Sequence, residues 1–134
     1  MNKRVSNARA AMLDPEWPCK RCEDLRQNVP VGKPRKLRQV HRVISQNLAD
    51  GTIAEVESPT KAERVAIVQT LFGVDEDPDP AMPPFAELLS RDSLPDIILY
   101  YFRCADCNLL FSLAVDTHHG SGGRWRPEFD EDLV

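Results

Sequence analysis

Residues 96–116 read DIILYYFRCADCNLLFSLAVD. The unbroken apolar run from Ile97 to Phe102 is rich in β-branched and aromatic side chains and short for a helix, so it predicts a buried strand. Past the cysteines, Leu109, Phe111, Leu113 and Val115 fall on one side and Leu110, Ser112 and Ala114 on the other, the period-two alternation of a second strand. Strands over 97–103 and 109–115 joined this closely must run antiparallel. The reading is therefore a β-hairpin with Cys104 and Cys107 at its tip.

A second Cys-x-x-Cys, Cys19 and Cys22 in CKRC, lies upstream with 81 residues between the pairs, and these two pairs hold every cysteine of the chain. Two residues between cysteines let both thiolates face one side of a turn, and two such turns complete a tetrahedral S4 site, for which Zn2+ is the expected ion. A thioredoxin-type redox pair opens a helix after a strand, whereas CADC sits between strands and CKRC follows proline-rich coil. Iron–sulfur ligation has other familiar spacings. A chain read as lacking an export signal argues against disulfides. After the second cysteine of such a turn the backbone goes left-handed. Asn108 suits that position and Glu23 does not, so the first turn is expected to run straight into a helix at EDLR.

Between the two turns, Leu37, Val40, Ile44 and Leu48 predict an amphipathic helix near residues 36–49, ended at Asp50-Gly51. TIAEVE reads as a brief strand. Thr60 and Glu63 form a capping-box pattern at the start of a helix over 61–72, with Val65, Val68 and Phe72 at helical spacing. PFAELLSRD allows two further helical turns. The expected fold class is α+β, one domain, with two to three helices inserted between the two halves of the metal site and packed on the hairpin. NVPVGKPRK and HHGSGGRW read as loops, so the expected divisions are an N-terminal arm (1–16), the metal-stapled domain (17–127) and an acidic tail (128–134).

A chain of 134 residues, 42% hydrophobic, suits a single core. Its opening, MNKRVSNARAAMLDPEW, lacks the apolar stretch of a secretory signal and no run is long enough to span a bilayer, so a cytoplasmic location is expected. The net charge of −4 conceals two opposed segments: residues 1–42 carry eleven Lys and Arg against four Asp and Glu, giving +7, and residues 43–134 carry six against seventeen, giving −11. The acidic segment includes the proline-broken loop with Asp75, Glu76, Asp77 and Asp79 and the terminal Asp130, Glu131 and Asp132, which form the expected partner-binding surface.

Residues 101–125, YFRCADCNLLFSLAVDTHHGSGGRW, resemble the C-terminal part of small bacterial immunity proteins of toxin–immunity systems, through a cysteine turn between aromatic strands followed by Asp-Thr-His-His-Gly-Ser-Gly-Gly-x-Trp. The cysteine turn by itself is shared with zinc ribbons. The resemblance implies a non-enzymatic protein that binds and neutralises a basic toxin, and the acidic segment fits such a partner. The alternative is a zinc-ribbon nucleic-acid binder using Lys33, Arg35, Lys36, Arg38 and Arg42. An enzyme built on His118 and His119, with Asp116 as a partner, has the least support: adjacent residues of an extended stretch point to opposite sides. No catalytic residue is expected.

Overall fold

The computed structural model describes residues 19–56, 61–73, 75, 82–90, 92–117 and 122–128. It contains a five-stranded antiparallel sheet built from β1 (Val29–Pro30), β2 (Ile53–Val56), β3 (Ile97–Cys104), β4 (Leu110–Asp116) and β5 (Gly122–Glu128), in the order β1-β5-β4-β3-β2. Two α-helices, α1 (Pro34–Ala49) and α2 (Lys61–Phe72), and a 3-10 helix, Phe85–Ser90, all fall between Cys22 and Cys104 in the chain. The protein is α+β.

The expected hairpin is present. β3 and β4 pair from Ile97 opposite Asp116 to Arg103 opposite Leu110, which sends Ile98, Tyr100 and Phe102 to the same face as Leu113, Val115 and Phe111. That face forms one core with Leu37, Val40 and Ile44 of α1, spaced i, i+3 and i+7 along the helix, and with Trp125 of β5. Full burial of each such side chain contributes about 1.5–3 kcal/mol. The helix begins two residues earlier than the periodicity suggests because Pro34 occupies the first turn, where its missing N–H costs nothing.

Phe85 locks the layers together. Its ring meets Tyr100 and Phe102 edge-on at 5.1 and 5.2 Å, while His41 of α1 stacks on it at 4.4 Å and bonds through Nε2 to the Phe85 carbonyl at 2.8 Å. His41 is thus a core-edge residue that fixes the rotation of α1. The opposite face of the sheet is also covered. Ile97, Leu99 and Ala114 are buried outside the α1 core, as is Val68 of α2, and Glu128 accepts from Ser112 at 2.6 Å and from both forks of Arg126 at 2.9 Å.

The loop expected after residue 118 is overturned from Gly122 to Glu128, which form an inner strand of the sheet. Trp125 supplies the apolar side of that strand, and Arg124 and Arg126 the other. Gly123 is required by close approach, not by a turn: a Cβ there would collide with the Ala114 carbonyl and sit 2.6 Å from Val115 Cα. Val31 N–H donates to the outward Gly123 carbonyl at 2.9 Å, so Pro127, four residues on, also points its absent N–H outward, past the end of two-residue β1. Val29–Pro30, likewise expected as loop, is that short edge strand. Thr60, the Glu63 side chain and the arm over 1–16 lie outside the described residues.

Candidate metal centre

The second cysteine turn is made by the hairpin register itself. Cys104 closes β3 with its N–H on the Leu109 carbonyl (2.9 Å), and Asn108 N–H returns to the Cys104 carbonyl (3.0 Å). Asn108 takes φ 67°, the left-handed position expected for it. Asp106 N–H points at Cys104 Sγ (3.4 Å), and Arg103 Nη1 donates to the Asn108 carbonyl (2.9 Å).

The first turn has no strand beneath it. As Glu23 predicts, it runs into a 3-10 helix at Glu23–Leu25, with Leu25 N–H on the Cys22 carbonyl at 2.9 Å. Three long side chains hold it in place. Arg26 Nη1 donates to the Cys19 carbonyl (2.7 Å) and lies 3.9 Å from Cys22 Sγ; Trp125 Nε1 donates to the Leu25 carbonyl (2.9 Å); Arg21 reaches the Asp50 carbonyl (3.0 Å) and Asp106 Oδ1 on the second turn (3.4 Å).

Both turns also meet the C-terminus of α1. There Gly51 N–H bonds the Leu48 carbonyl and Thr52 N–H the Asn47 carbonyl, the paired closure of a Schellman motif, with Gly51 at φ 82°. Arg21 binds this cap from the first turn, and Ala105 N–H binds the Thr52 carbonyl (2.9 Å) from the second.

The four sulfurs converge within 4.8 Å of one another. Cys19 Sγ lies 3.8 Å from Cys22 Sγ and 3.4 Å from Cys104 Sγ, and Cys22 Sγ lies 3.7 Å from Cys107 Sγ. All four cysteines are free thiols, at separations far beyond the roughly 2.05 Å of a disulfide. Sulfurs at the corners of a tetrahedron with about 2.3 Å metal–sulfur bonds are about 3.8 Å apart, so the cluster matches a metal-sized hole. Cys22 and Cys104 are buried, and Cys19 and Cys107 half-buried.

Crowding shows in the acidities. The Cys22 thiol is pushed well up by its hydrogen bond to Cys107, then by burial and the neighbouring sulfurs. Cys107 is brought down to about 5, because it accepts that bond and, against the cost of burial, the N–H groups of Cys19 and Leu109. Burial raises Cys104 despite N–H bonds from Cys107 and Asp106. A dication at the centre would take the place of thiol protons and offset the mutual repulsion of the thiolates. The residues present fit a metal ion.

Of the expected partner-binding residues, Asp75 is exposed; Glu76, Asp77, Asp79, Asp130, Glu131 and Asp132 lie outside the described residues, as do His118 and His119. Lys33, Arg35, Arg38 and Arg42 are exposed and Lys36 half-exposed, all at or on α1. The supporting Arg21, Arg26, Thr52 and Trp125 were not singled out by sequence reasoning; Arg26, four residues past Cys22, was the most readable of them. Among the described residues no helix is long and apolar enough to cross a membrane. Comparison with protein-family models, curated proteins and solved structures finds no match to this chain.

Proposed function

We propose that the chain is a non-enzymatic binding domain stapled by one structural Zn2+ held by Cys19, Cys22, Cys104 and Cys107. The observation that carries this is the sulfur geometry, with neighbouring sulfurs 3.4–3.8 Å apart in a set of four cysteines. Four thiolates suit zinc and leave no position for water or substrate, the hallmark of a structural site. Structural zinc supplies on the order of 10 kcal/mol to small domains. Metal analysis of protein produced in zinc-supplemented medium should give one zinc per chain, and Cys104→Ser should lose both the metal and most of the melting temperature. A metal-free chain with wild-type melting would sink the reading.

As for the partner, the −11 of residues 43–134 and the exposure of Asp75 support the neutralisation of a basic toxin domain, the role implied by the resemblance of residues 101–125. Charge reversal at Asp75, Glu76, Asp77 and Asp79 should slow association with such a partner without changing the melting temperature.

A further inference from the structure

The longest carboxylate-free stretch of the described chain is also its most basic. No Asp or Glu occurs from Leu25 to Ala49, and this span holds Arg26, Lys33, Arg35, Lys36, Arg38 and Arg42. Arg26 is engaged at the cysteine turn. The other five run from the N-cap to the middle of α1 and, among the described residues, have neither an ion pair nor a side-chain hydrogen bond. Unpaired surface cations are individually ordinary. What distinguishes these is their arrangement on a helix that cannot roll.

Leu37, Val40 and Ile44 bury one side of α1, which places Arg35, Arg38 and Arg42 on the far side, interleaved with Gln39 and Gln46, all five exposed. His41 pins the helix to Phe85 from its flank, and the Schellman cap pins its end to both cysteine turns. From Arg35 to Gln46 the stripe runs about 16 Å, and Lys33 extends it at the N-cap. A helix of about 10–12 Å width fits a B-DNA major groove of about 12 Å, where arginines meet phosphates or guanine and glutamines can pair with adenine. Single-strand binders need aromatic platforms, and among the described residues no aromatic side chain is exposed.

We infer that the outward face of α1 is a docking surface for duplex DNA, through Lys33, Arg35, Arg38 and Arg42 on the backbone and Gln39 and Gln46 toward base edges. The inference rests on the reading of the chain as a binding domain and assigns a face distinct from the acidic residues. Residues 43–134 are net acidic, so attraction to phosphate favours docking through this helix.

The test is fluorescence anisotropy of a labelled 20-base-pair duplex with the zinc-loaded full chain at several salt concentrations. Four phosphate contacts give a log–log salt slope of about −3.6, a loss of about 150-fold in affinity between 50 and 200 mM. The Arg35→Gln/Arg38→Gln/Arg42→Gln variant, helix-neutral by propensity, should reduce the slope to about −0.9 with zinc content and melting unchanged. Lys61→Gln on α2 should leave binding as it was. No binding at 50 mM salt by a chain that still holds its zinc overturns this inference while leaving the zinc-stapled domain intact. Tighter binding to single-stranded DNA, or equal competition by polyglutamate, overturns the assignment to duplex.

Discussion

The two cysteine turns have the same spacing and opposite origins. CADC is positioned by its immediate neighbours, with β3 entering, β4 leaving and Asn108 turning the chain between them. CKRC is positioned from a distance: Trp125 lies 100 residues beyond the Leu25 carbonyl it binds, and Asp106 lies 85 beyond Arg21. One half of the metal centre is thus secured by the strands that flank it and the other, beyond its own short 3-10 turn and Arg26, by contacts from distant parts of the chain. A four-thiolate site requires only that its halves be rigid when they meet, and each half here reaches rigidity by a different physical route.

The largest effect that tests this contrast comes from removing the metal. With the staple gone, the first turn loses its main constraint while the β3–β4 ladder keeps its hydrogen bonds. Chelation followed by hydrogen exchange should release the amides of Glu23, Leu25 and Arg26 well before those of Phe102 and Phe111. Simultaneous release of both sets would show that the hairpin is no more autonomous than the coil. Next in size is Trp125→Phe, which keeps most of the stack on Phe111 at 5.2 Å but deletes the bond to Leu25, at a cost of about 1–2 kcal/mol. Its exchange signature and a faster loss of zinc to a chelator should appear at the first turn alone. The smallest effect is on the other side of the comparison. Asn108→Ala places a side chain of low left-handed tolerance at φ 67° and should lower stability by about 1 kcal/mol, with Asn108→Gly neutral or slightly stabilising. An Ala variant as stable as Gly would mean that the backbone there relaxes freely.

The same contrast explains what was legible in the sequence. The hairpin, α1 and the cysteine pairs were readable because each is specified within a dozen or so residues, by alternation, by 3.6-residue spacing or by a fixed gap. β1 and β5 were not. Gly122, Gly123 and Pro127 carry loop chemistry when read locally, and only the proximity of Ala114 and Val115 and the short reach of β1 turn them into strand residues. Trp125 between two arginines was the available clue, since an alternation of three is too brief to outweigh two glycines. Arg21 was opaque for the same reason: a guanidinium bonded to a carbonyl 29 residues away in the chain leaves no local pattern.

The strand order β1-β5-β4-β3-β2 has a temporal consequence. β1 can pair only after β5 exists, and Cys19 and Cys22 gain their second pair of sulfurs only when Cys104 and Cys107 have been synthesised. At translation rates of about 5–20 residues per second, the 81 residues between Cys22 and Cys104 correspond to about 4–16 s during which the nascent chain offers a lone dithiol to any passing metal or oxidant. α1 and the hairpin can organise as they emerge; the first cysteine turn, though made earliest, is finished last.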